Sequence, residues 1–88
     1  MPQLVLSNRF KKSLRNFIKK HPELRSVIQE KLKILETNPK DRRLQTQKLT
    51  GTLKGLLAAS LTHEYRLILY CEKDLIFLIT IGTHDEVY

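Results

Sequence analysis

The sequence predicts an α+β fold in which a helical hairpin packs on one face of a mainly antiparallel, twisted sheet. In the first half of the chain, two adjoining segments carry apolar residues at the helical period. In the second half, three short runs rich in β-branched and aromatic residues are separated by turn-forming or charged residues. The expected order is β-α-α-β-β-β, and 88 residues suit a single domain, residues 1–88.

The first half is expected to form one strand and two helices. Residues 2–6 are predicted to be the strand, and Ser7 is a suitable N-cap for the helix after it. The apolar face of that helix consists of Phe10, Leu14, Phe17 and Ile18. His21-Pro22 should end it, since Pro22 suits the first turn of a second helix. That helix buries Leu24, Val27, Ile28, Leu32 and Leu35, and Asn38-Pro39 should end it.

The second half is expected to form the rest of the sheet. Residues 40–55 are polar and basic, with turns at Gly51 and Gly55. Strands are predicted at residues 56–61, 65–71 and 75–81. The last of these is apolar almost throughout, so it is expected to be buried on both faces. The face of the sheet away from the helices should be partly open.

Composition and the lengths of the apolar runs predict the cellular location of the protein. The hydrophobic share of 41% supports a folded core. The single cysteine, Cys71, lies in an apolar run and is interpreted as a small buried residue rather than a nucleophile. The N-terminal apolar segment is too short for a signal peptide, and no apolar run approaches the roughly 18 residues of a membrane span. We therefore expect a soluble, cytoplasmic protein that does not bind membranes.

The charge is strongly polarised along the chain. Sixteen Lys and Arg against nine Asp and Glu give a net charge of +7. Residues 9–20 hold six basic side chains and no acid, residues 40–54 hold five with one acid, and residues 55–88 are acidic. Two basic segments favour a polyanion such as nucleic acid, although a solvated helix face is the alternative. The cations predicted to bind RNA are Lys11, Lys12, Arg15, Lys48 and Lys54.

Most enzyme chemistries lack support in the sequence. The three histidines lie far apart, and no Cys/His spacing resembles a zinc site, so we predict no metal and no cofactor. Neither a phosphate-binding Gly-rich loop nor a hydrolase nucleophile elbow is present. Cleavage of RNA through its own 2′-hydroxyl remains open, because it needs only a base, a cation for the phosphorane and an acid for the leaving oxygen.

Three side chains are candidates for that chemistry. Arg66 lies in a largely apolar strand, where a charged side chain is unusual and can indicate a functional role. A structural ion pair or a solvated edge position is the alternative explanation. His84 can act as base or acid. Tyr88 can act as an acid or as a stacking platform. The alternative for the last seven residues is a frayed polar tail.

The chain resembles a known family at three places. These are the turn at residues 48–55, the Tyr-Arg strand at residues 65–70, and the ending Gly82-Thr83-His84-Asp85-Glu86-Val87-Tyr88. They are similar to the RelE/ParE superfamily of bacterial toxins, and the likeness covers nearly the whole chain. The ending, G-T-H followed by three residues and an aromatic residue, is the most specific motif and is closest to the YafQ branch.

The resemblance implies the toxin of a type II toxin–antitoxin pair, which enters the ribosomal A site, cuts mRNA there and is neutralised by a cognate acidic antitoxin. His84 matches the catalytic histidine of the YafQ branch, Tyr88 its terminal aromatic residue, and Arg66 an arginine of RelE-like sites. Glu64 and Tyr65 fall where YafQ-like toxins carry an acid and an aromatic residue, so both are predicted to bind RNA.

The sequence also departs from the family pattern. RelE-like toxins place lysines where this chain has Leu57 and Ala59, and YafQ-like toxins place a histidine where it has Ser60. His63 is the candidate to substitute for that histidine, and an exposed turn residue is the alternative. Two other functions stay open: a ParE-like toxin that inhibits DNA gyrase, and an inactive remnant that only binds its antitoxin.

Overall fold

A computed structural model describes residues 3–50 and 55–83, which form two helices on a five-stranded mixed sheet. The elements in chain order are β1 (Gln3–Leu6), α1 (Asn8–Lys20), α2 (Arg25–Thr37), β2 (Gln47–Lys48), β3 (Leu57–Ser60), β4 (Tyr65–Glu72) and β5 (Leu75–Thr83). Short 3₁₀ helices, Pro22–Leu24 and Arg42–Leu44, come before α2 and β2. The predicted fold class and order are confirmed, and β2 is an additional strand that the sequence analysis assigned to a polar loop.

The strand order in the sheet is β1-β5-β4-β3-β2. β1 pairs with β5 in parallel, and every other neighbouring pair is antiparallel. The parallel pair requires the chain to cross over between the two strands, and the helical hairpin lies within that crossover. β2 pairs over only two residues, Gln47 with Ala58 and Lys48 with Leu57. Two residues are too few to show an alternating pattern, so hydrophobic periodicity does not detect this strand.

The start of α1 and the ends of both helices follow the residues that the sequence predicted, whereas α2 begins only at Arg25, because Pro22–Leu24 form a 3₁₀ helix instead of its first turn. The Ser7 hydroxyl oxygen accepts a hydrogen bond from the Phe10 N–H at 3.0 Å, which satisfies a free donor at the start of α1. The same hydroxyl donates to the carbonyl oxygen of Leu78 at 3.0 Å. One side chain therefore begins the helix and attaches it to β5. α1 ends at His21 and α2 at Asn38, directly before the two prolines that cannot continue a helix.

The core lies mainly between the helices and the sheet. Its fully buried side chains include Phe10, Leu35, Leu44, Leu67 and Leu78. The opposite surface of the sheet, called here the open face, carries a smaller buried cluster of Leu49, Ala58 and Ile68, against which Leu56 and Ile79 pack. Neither helix in the described part of the chain is long and apolar enough to cross a membrane.

Two predictions about burial were wrong. β5 is not buried on both faces: Ile76 and Leu78 are buried, but Phe77 is only half-buried and stacks on Tyr70 at a centroid distance of 4.6 Å. Only one face of the sheet is covered by helices, so an apolar strand in it cannot be fully enclosed. Cys71 is exposed, because it lies near the end of β4, close to the hairpin turn at Lys73. Partial burial still raises the pKa of its thiol.

Candidate functional site

Arg66 lies on the open face at one end of the sheet. Successive side chains of a strand point to opposite faces, and Leu67 packs in the core beneath the helices, so Arg66 points the other way. It is only 9% exposed. In register it lies between Ser60 on β3 and Gly82 on β5, and Gly82 has no side chain to cover it. The structure thus places a largely buried cation where the open face meets the end of β5.

The turn between β3 and β4 brings two more predicted residues to this end. The Ser60 hydroxyl donates to the carbonyl oxygen of Thr62 at 3.1 Å, and the Thr62 hydroxyl accepts from the Tyr65 N–H at 3.2 Å. These bonds fix a turn in which His63 and Glu64 are exposed. The guanidinium Nη2 of Arg66 donates to the His63 carbonyl oxygen at 3.3 Å, which links the arginine to the turn.

Tyr65 lies on the other side of the sheet from Arg66. Its ring packs edge-on against Phe17 at a centroid distance of 4.8 Å, and its hydroxyl is 3.1 Å from Nε2 of His21. It therefore joins the end of α1 to the start of β4, on the face that the helices cover. The sequence predicts RNA binding for Tyr65 from its match to an aromatic residue of YafQ-like toxins, and it marks His21 only as a helix end. Tyr65 and His21 are 44 positions apart, so no local sequence pattern predicts that they are in contact.

Four of the predicted RNA-binding cations lie in the described part of the chain, and they do not surround Arg66. Lys11, Lys12 and Arg15 are exposed on α1, in the helical layer. Lys48 pairs with Leu57, at the far end of β3 from Ser60. Standard strand spacing and rise put its Cα about 14 Å from that of Arg66. These cations therefore lie away from Arg66, and their binding to RNA stays a prediction.

Three of the predicted residues, His84, Tyr88 and Lys54, lie outside the described residues, and their roles stay predictions. What the structure describes is the strand that leads to His84. β5 ends at Thr83, which pairs with Tyr65, and His84 is the next residue in the sequence.

The departures from the lysine pattern have a structural explanation. Ala59 is completely buried and Leu57 is packed against the same helix-side core. A lysine at Ala59 would bring a charge into that apolar layer, at a cost of several kcal/mol unless it is paired, whereas Leu57 is only partly buried. The residues of β3 that share the open face with Arg66 are Ala58 and Ser60. Ser60 is 7% exposed, and its hydroxyl holds the turn described above.

Solved structures share this architecture over their whole length. YafQ from E. coli strain BL21(DE3) superposes with a TM-score of 0.82 at 19% identity, over 100% of this chain and 99% of that one. The fold of this chain is that of the YafQ-type toxins. A copper-bound mutant toxin from Helicobacter pylori matches with a TM-score of 0.81 at 24% identity, over the full length of both chains.

A toxin in a complex has the same fold. The YoeB–YefM complex from Staphylococcus aureus matches with a TM-score of 0.74 at 20% identity, over 96% of this chain and 98% of that one. No protein-family model matches the chain, and no match to a curated protein is found by sequence. The RelE-like fold predicted from the turn, the Tyr-Arg strand and the G-T-H ending is thus confirmed by three-dimensional similarity at low sequence identity.

Proposed function

We propose that this protein is the toxin of a type II toxin–antitoxin system and that it cleaves mRNA on the ribosome. The fold shared with YafQ and YoeB supports the toxin class. The observation that supports cleavage is Arg66, a residue only 9% exposed on the open face and paired in register with Gly82, the first residue of the G-T-H ending. A preorganised cation in a water-poor position stabilises a developing phosphorane better than a solvated one.

The proposed reaction uses the RNA as its own nucleophile. His84 takes the proton of the 2′-hydroxyl, the 2′-oxygen forms a bond to the adjacent phosphorus, and the bond from phosphorus to the 5′-oxygen breaks. Arg66 balances the charge of the phosphorane, and Tyr88 or protonated His84 gives a proton to the leaving 5′-oxygen. The products are a 2′,3′-cyclic phosphate and a 5′-hydroxyl, and the reaction as proposed uses no metal and no cofactor.

The proposed partners are the ribosome, mRNA and a cognate acidic antitoxin. α1 carries six exposed cations and no acid, which suits the phosphates of ribosomal RNA or an acidic protein segment. Solved structures of the same fold include the E. coli DinJ–YafQ complex, which supports an antitoxin partner here. The antitoxin segment is expected to be partly disordered alone and to fold as a helix or strand on this chain.

The test is primer extension on an mRNA that is translated in the presence of the purified protein. We expect cuts at in-frame positions with a start codon and none when the start codon is removed. Arg66→Ala should lower the cleavage rate by about 10²–10³, the usual effect of removing one oxyanion-stabilising group. Arg42→Ala is the matched control, because Arg42 is exposed in the connection before β2.

Each of the three candidate functions predicts a different experimental result. Cuts that ignore translation would contradict the ribosome-dependent mechanism. Growth arrest with intact mRNA and inhibited gyrase would support the ParE-like alternative. Full binding of an antitoxin without arrest or cleavage would support the inactive remnant. Circular dichroism of Arg66→Ala separates lost chemistry from lost folding, and Arg66→Lys should recover part of the rate, because it keeps the charge without the planar fork.

A further inference from the structure

A concave surface lies at the same end of the sheet as Arg66, on the helix side. It is a cavity of about 330 Å³ between the C-terminal half of α1 and the ends of β4 and β5, called here the α1 cavity. Its lining includes Ser13, Asn16, Lys20, His21, Tyr65 and Thr83. The volume is near the lower end of the range for ligand pockets, about 300–1,000 Å³, which suits one nucleotide better than a longer segment.

Two aromatic rings form part of the cavity wall. His21 and Tyr65 have ring centroids 5.1 Å apart, and Tyr65 Oη is 3.1 Å from His21 Nε2. Phe17, which is 8% exposed, packs against both rings at centroid distances of 4.9 and 4.8 Å. The two half-buried rings are therefore fixed in orientation, and a rigid aromatic wall is the surface on which unstacked bases bind.

The remaining lining supplies hydrogen-bonding groups and a charge. Ser13 ties α1 to β5, since its oxygen accepts from the Ile81 N–H and from the Thr80 hydroxyl, both at 3.3 Å. This attachment holds the helix beside the strand end and keeps the cavity shape. Asn16 and Thr83 add polar side chains to the lining, and Lys20, an exposed residue, adds a positive charge.

We propose that the α1 cavity binds one nucleotide of the RNA that flanks the cleaved phosphate, with its base against His21 and Tyr65 and its phosphate at Lys20. This rests on the proposed function. Tyr65 pairs with Thr83 and Arg66 pairs with Gly82, so the cavity and the arginine lie on consecutive residue pairs of β4 and β5, on opposite faces. An RNA strand that passes around the end of the sheet contacts both.

The binding test uses an RNA that cannot be cleaved. A hexaribonucleotide with 2′-O-methyl groups on every ribose lacks the attacking hydroxyl, so binding is measured whether or not the protein is active. In ¹H–¹⁵N spectra of the full chain, we expect amide shifts concentrated at Asn16, Lys20, His21, Tyr65 and Thr83. Shifts confined to other residues would overturn the proposal. Inorganic phosphate at equal ionic strength is the control, and equal shifts at the same residues would show an anion site only.

Two neighbouring lysines provide a matched pair of variants. Lys19 and Lys20 are both exposed in the last turn of α1, but only Lys20 is part of the cavity lining. Lys20→Ala should weaken binding of the hexaribonucleotide by about three- to tenfold and reduce the log–log salt slope by about 0.7, the value for one single-strand phosphate contact. Lys19→Ala should change neither by a comparable amount. Equal effects of the two would mean diffuse charge attraction and overturn the site.

The outcomes also separate this site from the proposed function. RNA binding at the cavity by a protein that never cuts translated mRNA would support the site and contradict the nuclease. Cleavage of translated mRNA with no RNA-induced change at the cavity residues would support the nuclease and overturn the site.

Discussion

The two faces of the sheet use the same strands for different purposes. On the helix side, β4 contributes Leu67 and Leu69, which are 0% and 1% exposed in a continuous apolar core. On the open face, the same strand contributes Ile68 to a much smaller cluster and places Arg66 at its end. The alternation of a strand thus lets four consecutive residues build a core on one side and a charged site on the other.

The difference also explains where charge is tolerated. The helix-side layer is closed, and an unpaired cation within it would lose its hydration without compensation. Arg66 is also largely buried, but it lies at the end of the open face, where its guanidinium contacts the turn carbonyl of His63. The open face and the end of the sheet carry the described residue of the proposed chemistry, Arg66, while the helix side holds most of the buried apolar core.

The largest expected effect is a loss of cleavage activity when His84, the residue that follows β5 in the sequence, is replaced. Of the open-face residues of β3, Ala58 and Ser60 offer no proton-transfer group, so His84 should be the main acid–base group. His84→Ala should lower the rate of mRNA cleavage by about 10²–10⁴, the usual contribution of a positioned acid–base residue. The measurement is primer extension under single-turnover conditions. His63→Ala is the control, and a fully active His84→Ala beside an inactive His63→Ala would show that the wrong histidine was assigned.

The next effect compares the stability of the two faces directly. Leu67 and Ile68 are consecutive, nearly fully buried and on opposite faces. Leu67→Ala should lower the free energy of unfolding by about 3–4 kcal/mol, because the helices enclose the cavity that it leaves. Ile68→Ala should cost about 2 kcal/mol, because its small cluster can relax toward solvent. Urea unfolding gives both values, and equal losses would contradict the division between the faces.

A smaller effect concerns the attachment of the helices to the sheet. Ser7→Ala removes both the cap of α1 and the hydrogen bond to the Leu78 carbonyl oxygen. We expect a loss of about 1–2 kcal/mol in the free energy of unfolding, near the upper range for caps because the attachment to β5 is lost together with the cap. Ser7→Thr keeps the hydroxyl and should lose much less. Thermal unfolding of the two variants measures this, and an equal loss for Thr would assign the effect to packing.

The smallest effect lies outside both faces, in the connection after α2. Hydrogen bonds from the Arg43 side chain and N–H lower the pKa of Asp41 to about 2. A lowered folded-state pKa adds stability above the ordinary pKa of a carboxyl group, and that stability is lost as the pH falls toward 2. Asp41→Asn keeps a capping oxygen and should remove only this part of the acid dependence, measured by urea unfolding between pH 2 and 6. An unchanged pH profile would show that the pair contributes nothing at the surface.

Local chemistry made most of the fold predictable. Ser7, Pro22 and the turn before Leu75 mark element boundaries through capping, a missing N–H and hairpin composition, and each of these acts within a few residues. The errors arose where burial depends on distant elements. Cys71 looks like a core residue from its apolar neighbours, and its exposure follows from its place near the end of β4. β2 is a strand only through its pairing with β3, which its own two residues do not predict.

The features of the candidate site also fall into those that the sequence determines and those that the tertiary packing determines. The sequence by itself determined the alternation of β4, the basic α1, the buried-strand context of Arg66 and the G-T-H ending that pointed to the fold. Only the tertiary structure decided that the helices cover the Tyr65 side and leave the Arg66 side open. It also brought His21 to Tyr65 across 44 residues. The physical reason is that alternation separates two sets of side chains, whereas the packing of the helical hairpin selects which set is buried.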